Sequence, residues 1–154
     1  MTDRSFFTDD EWTALTHAPL HVTTAVVAVA EHGPISLIKE ASATAKALAR
    51  PGDHGPATDL ITAIAHEAQG HDARHAVKED RGSSPDEVID AALGELQPAA
   101  AAIARLPVAE GAEVRAWLID LANGVAGAAK GTSDKEQAVV DRVRAALGAP
   151  PATG

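Results

Sequence analysis

Histidine is the richest chemical resource in this chain: seven occur in 154 residues, at positions 17, 21, 32, 54, 66, 71 and 75. Imidazole titrates near neutrality and is the commonest metal ligand. Spacing decides which rings could act together. His71 and His75 stand four apart, the interval that brings two side chains onto one helical face. If the helix that begins near Ala57 runs through Gly70, both rings fall within the stripe of Ile61, Ile64 and Ala68. Such a pair can chelate one divalent metal through two imidazoles, which makes His71 and His75 the candidate metal site. A blander reading stands beside it: rings at a helix seam bonded to a carbonyl or an acid, or solvated rings if Gly70 ends the helix.

His17 and His21 share the interval of four, but Pro19 lies between them and puts His17 at a helix end. A four-histidine site built from both pairs has no further support. The run His66-Glu67-Ala68-Gln69-Gly70-His71 resembles H-E-x-x-H, the helical zinc motif of metalloproteases. The gap here is five, and at about 100° per residue that turns the two rings well apart. That chemistry is excluded.

Other catalytic constellations are missing from the sequence. There is no Gly-rich phosphate loop, no G-x-S-x-G and no cysteine. Serines and threonines fall mostly at helix caps or in loops, with no base beside them. Asp86, Glu87, Asp90 and Glu95 read as a solvated helix face. Arg105, Arg115, Arg142 and Arg144 are scattered. No cofactor is implied. A net charge of −9 offers no footprint for nucleic acid, whose binding rests on neutralised phosphates. The same sign disfavours anionic membrane surfaces. Ala25 to Ala30 is the longest nearly unbroken apolar stretch, too short to span a bilayer. The start Met1-Thr2-Asp3-Arg4 has neither the basic region nor the apolar core of a signal peptide. With no disulfide chemistry, a cytoplasmic setting is expected.

The elements that would position these residues are helices. Three S/T-x-x-E starts occur: Thr8-Asp9-Asp10-Glu11, Ser84-Pro85-Asp86-Glu87 and Ser133-Asp134-Lys135-Glu136. In such a capping box the hydroxyl and the Glu each satisfy an orphan N–H. Phe7 and Trp12 flank the first box as a hydrophobic staple. Helix one is expected to end near Thr16, with Pro19 opening a new helix, Leu20 to Glu31, apolar almost all round. A strand there would have no partner, so a buried helix is the better reading. Pro34 can open a helix to Arg50, and Pro51 to Pro56 reads as a loop. The next helix, from about Ala57, carries Leu60, Ile61, Ile64, Ala65 and Ala68 and can continue to about Lys78. Another starts after Ser84 with Val88, Ile89, Ala92, Leu93 and Leu96 inward, and Pro98 kinks or ends it. The cleanest amphipathic helix carries Val114, Trp117, Leu118, Leu121, Ala122 and Val125. The last, Asp134 to Leu147, has Gly148 placed as its C′ residue. Aromatics are only 3% of the chain, so Trp12 and Trp117 read as core anchors before ligand platforms.

Residues 11–48 and 113–147 echo each other faintly. Each runs helix, small-residue stretch, Gly-containing turn, Lys-Glu pair, helix. The block Val125-Ala126-Gly127-Ala128-Ala129-Lys130-Gly131-Thr132-Ser133-Asp134-Lys135-Glu136 resembles the turn of TerB-like helical domains, linked to tellurite resistance. The resemblance covers about 113–147 and, more faintly, 11–48. It implies a compact all-helical bundle with turn acids that hold a metal. Where that pattern has Asp before Gly, this chain has Lys130 and His32. Glu136 is the one acidic counterpart, and it also reads as the Glu of its capping box.

The sequence therefore predicts an all-α fold: a single compact bundle of six to eight helices over 1–148, a central apolar helix, and a disordered tail at 149–154. It predicts a small, acidic, Ala-rich cytoplasmic protein with a non-catalytic role, a small enzyme with an unrecognised site being a third class beside the two readings that follow. It would act by binding a protein partner or by homo-oligomerisation, in a stress-related setting if the TerB-like resemblance holds. The alternative is a divalent-metal protein using His71 and His75.

Overall fold

The computed structural model describes residues 2–29, 55–69, 84–127 and 134–149. Among them the structure is all-helical, without strands. Five α-helices follow in order: α1 (Asp9–Ala28), α2 (Thr58–Ala68), α3 (Pro85–Ala104), α4 (Val108–Ala126) and α5 (Asp134–Ala146). Short 3-10 turns, Arg4–Phe6 and Gly55–Ala57, precede α1 and α2.

Two of the three predicted capping boxes are in place. Thr8 Oγ1 accepts the Glu11 N–H at 3.2 Å, and Glu11 Oε2 accepts the Thr8 N–H at 2.8 Å. Ser84 and Glu87 exchange the same bonds at 3.3 and 3.4 Å. The Phe7 and Trp12 rings lie 6.0 Å apart and close the staple. Ser133 lies outside the described residues. At the far end, Gly148 takes φ +72°. Its N–H donates to Ala145 O, and the Ala149 N–H donates to Arg144 O, both at 3.1 Å. This is the Schellman pattern, and its left-handed residue is a glycine because a Cβ is costly there.

The prolines correct the sequence reading. The first helix does not stop at Thr16; α1 runs unbroken through Pro19. Likewise α3 runs through Pro98 to Ala104. A proline inside a helix costs about 3 kcal/mol, but each apolar stripe crosses its proline without a change of phase. In α1 the buried positions are Trp12, Leu15, Thr16, Ala18, Pro19, Val22, Ala25 and Val26. Burying a valine contributes roughly 1.5–3 kcal/mol, so Val22 and Val26 together match the cost. In α3, Ala99, Ala102 and Ile103 continue the stripe of Ile89, Ala92 and Leu96.

Helix α1 packs most extensively on α3 and also touches α2, α4 and α5. The core is built from aliphatic side chains and buried alanines, among them Ala18, Ala25, Ala65, Ala99, Ala102 and Ala122. Trp117 is buried in it, 4% exposed. The expected stripe of α2 is buried in full, as are Val140, Val143 and Leu147 of the last helix. Ala30, Glu31 and the expected helix to Arg50 lie outside the described residues.

Candidate functional site

The paired polar groups concentrate where α1 begins. Capping fixes Glu11 at N3 of α1, and its two carboxylate oxygens then do different work. Oε2 holds the Thr8 N–H, while Oε1 forms an ion pair with Arg105 at the end of α3. These two partners, Arg105 first, hold the Glu11 carboxyl below the usual carboxylate range. The Arg105 guanidinium also sits 5.0 Å from the Phe6 ring centroid. Phe6 meets Phe7 edge-on at 5.1 Å. Arg4 lies 5.8 Å from the Trp12 ring centroid and pairs with Asp9 at 3.0 Å. Trp12 Nε1 donates to Glu67 Oε2 at 2.8 Å, tying α1 to α2. Hydrogen bonds from Ser5 lower the Asp3 carboxyl in the same way.

The sequence pointed to the staple but to neither Glu67 nor Arg105. Their partners lie 55 and 94 residues away, and no local pattern marks such pairs. Phe6, 39% exposed, and Val108, 90% exposed, are the large apolar side chains left open among the described residues. Arg105 touches the Phe6 ring and stands three positions before Val108 in the chain.

A second feature is a cleft of about 440 Å³ lined by Ala28 and Val29 of α1's end, Asp86 and Ile89 of α3, and Lys135 and Arg142 of α5, among others. Arg142 pairs with Asp90 beside it at 2.7 Å. Its lining among the described residues is charged and apolar. Asp86, Glu87, Asp90 and Glu95 are all exposed. Two acids are buried instead: Glu110 in the first turn of α4 and Glu136 in the first turn of α5. Glu110 Oε2 has no hydrogen-bond partner among the described residues.

His71 and His75, the predicted metal pair, lie outside the described residues, as do His32 and His54. His66 is exposed in the last turn of α2. His17 is not a helix end. It stands mid-helix in α1, half-buried, with its ring centroid 6.2 Å from that of half-buried His21 and the planes at 66°. Among the described residues no group of three or more His, Asp or Glu could hold a metal ion.

Comparison with family models, with curated proteins and with solved structures finds no match to this chain in any of the three.

Proposed function

We propose that this chain is a non-catalytic helical protein that works through its surface, binding a protein partner or a second copy of itself. The observation that carries the reading is the aromatic–arginine cluster at the start of α1. It leaves Phe6 open beside Arg105, and Val108, three positions on from Arg105 in the chain, is open as well. Aromatic and arginine side chains are the groups that anchor protein interfaces. The scaffold of the proposal is a bundle of six to eight helices with the Leu20–Glu31 segment at its centre. The contacts of α1 with each other described helix support that place.

The proposal includes a cytoplasmic, TerB-like, stress-related setting and no role in nucleic-acid or membrane binding. The absence of cysteine supports the cytoplasmic setting and the charge of −9 the lack of a nucleic-acid or membrane role, while the TerB-like, stress-related part rests on the 125–136 resemblance alone. No helix among the described residues is long and apolar enough to cross a membrane.

A photo-crosslinking residue at position 6 or 108, compared with one at exposed Asn123, tests the reading. Adducts from 6 and 108 alone, either to a second copy or to a reproducible partner, are the expected result. Equal yields from all three positions would sink it.

A further inference from the structure

The geometry points to His17 and His21 as a two-imidazole clamp for one divalent transition cation on the face of α1. The argument begins with Pro19. A break there would send the two rings in unrelated directions, but α1 is continuous across it. His17 and His21 therefore sit one helical turn apart on the same face. The helix itself is a rigid mount. Ala18, Pro19 and Val22, interleaved with the two histidines, are buried against the core, while both histidines keep part of their surface exposed.

The ring centroids lie 6.2 Å apart. Two imidazoles that share one tetrahedral or octahedral ion at adjacent positions stand about 5 Å apart, given metal–nitrogen bonds of about 2.0–2.1 Å. Rotation of the side chains closes that difference, because the terminal torsion of histidine is broad. A ring anchored through one nitrogen still ligates through the other. Water completes the coordination sphere, so the clamp is an open site that takes borderline cations such as Ni²⁺, Cu²⁺ and Zn²⁺ rather than Ca²⁺ or Mg²⁺. The clamp is independent of the partner-binding surface: His17 and His21 lie in the third and fourth turns of α1, beyond the cluster at its first turn.

The test is titration of the full chain with Ni²⁺, followed by calorimetry and by thermal melts. The native chain should bind Ni²⁺, and its melting midpoint should rise with Ni²⁺ concentration, because an ion that binds only the folded state stabilises it. His17→Gln and His21→Gln should each weaken binding by at least roughly 10-fold, the least that loss of even a supporting group costs a metal site. His66→Gln and the double change His71→Gln/His75→Gln should leave it within about twofold of native. A second reading needs no variant: paramagnetic Ni²⁺ should broaden the imidazole resonances of His17 and His21 first. Three results overturn the clamp: no Ni²⁺ binding by the native chain, unchanged binding in His17→Gln and His21→Gln, or equal loss in His71→Gln/His75→Gln.

Discussion

The starts of α1 and α2 meet the same demand by opposite means. The first N–H groups of any helix lack intrahelical partners. At α1 the answer is local: Thr8 and Glu11 satisfy each other's N–H within one turn. At α2 the N-cap is Ala57, whose methyl side chain can accept no N–H. Its N–H donates instead to Glu113 Oε2 on α4, 56 residues away, at 2.8 Å. The backbone just before is shaped to admit that carboxylate. Gly55 takes φ +58°, and a Cβ there would stand 2.5 Å from Glu113 Oε1. So α1 can begin before the bundle assembles, whereas α2's start is complete only once α4 has docked.

The largest test of that contrast goes through α4 itself. Trp117 is one of two tryptophans and is buried in the aliphatic core. Trp117→Ala should cost roughly 3–5 kcal/mol, as large-to-small core changes do. Denaturant melts would measure it. Native-state hydrogen exchange should also show the Ala57 amide losing protection more than the Glu11 amide. Equal losses would mean that the two starts do not differ in their dependence on α4.

Glu113→Ala isolates the borrowed cap. Ala57 is fully buried, so its orphaned N–H should cost about 1–3 kcal/mol. Glu113→Gln keeps an acceptor and should cost less. Gly55→Ala carries the strain of a left-handed residue, about 1–2 kcal/mol, plus the collision with the carboxylate. In the Glu113→Ala background the collision is gone, so the two losses should add to less than their sum. Strict additivity would show that Gly55 and Glu113 do not meet.

Legibility follows the same divide. The boxes at Thr8 and Ser84, the staple, the α2 stripe and the Gly148 cap each use residues within a few positions of one another, so sequence pattern finds them. Glu113 reads as an ordinary charged residue of an amphipathic helix, and Glu67 as one more exposed acid. Only packing gives them partners. Pro19 misled for the same reason, as did the reading of Pro98 as a helix end. Local chemistry says a proline ends a helix; the buried stripe on both sides says otherwise, and tertiary burial outweighs the local cost. The mid-helix place of His17, and hence its pairing with His21, followed from that and could not be read beforehand. The predicted pair His71 and His75 lies outside the described residues.

Thr8→Ala tests the other side of the comparison. Loss of an N-cap hydroxyl typically costs about 1 kcal/mol. The effect should stay local, with fraying at the first turn of α1 and no change at the Ala57 amide. Coupled loss at both amides would make α1's start as dependent on tertiary packing as α2's.

The smallest effect belongs to Glu11, and its sign is fixed by its surroundings. Arg105 and the Thr8 N–H lower the carboxyl's folded-state pKa. A carboxyl lowered on folding adds stability above its unfolded value, near 4.3. That contribution is lost as the pH falls through the folded value. The gap in melting midpoint between the native chain and Glu11→Gln should therefore be widest near neutral pH and close below about pH 4. Both partners are partly exposed, so the gap should be small and should shrink further in salt. Thr8 Oγ1 still caps α1 in Glu11→Gln, so the helix start should survive even at acid pH. A gap that widened on acidification would mean that Glu11 gains nothing from its partners, and the local start would then rest on Thr8 alone.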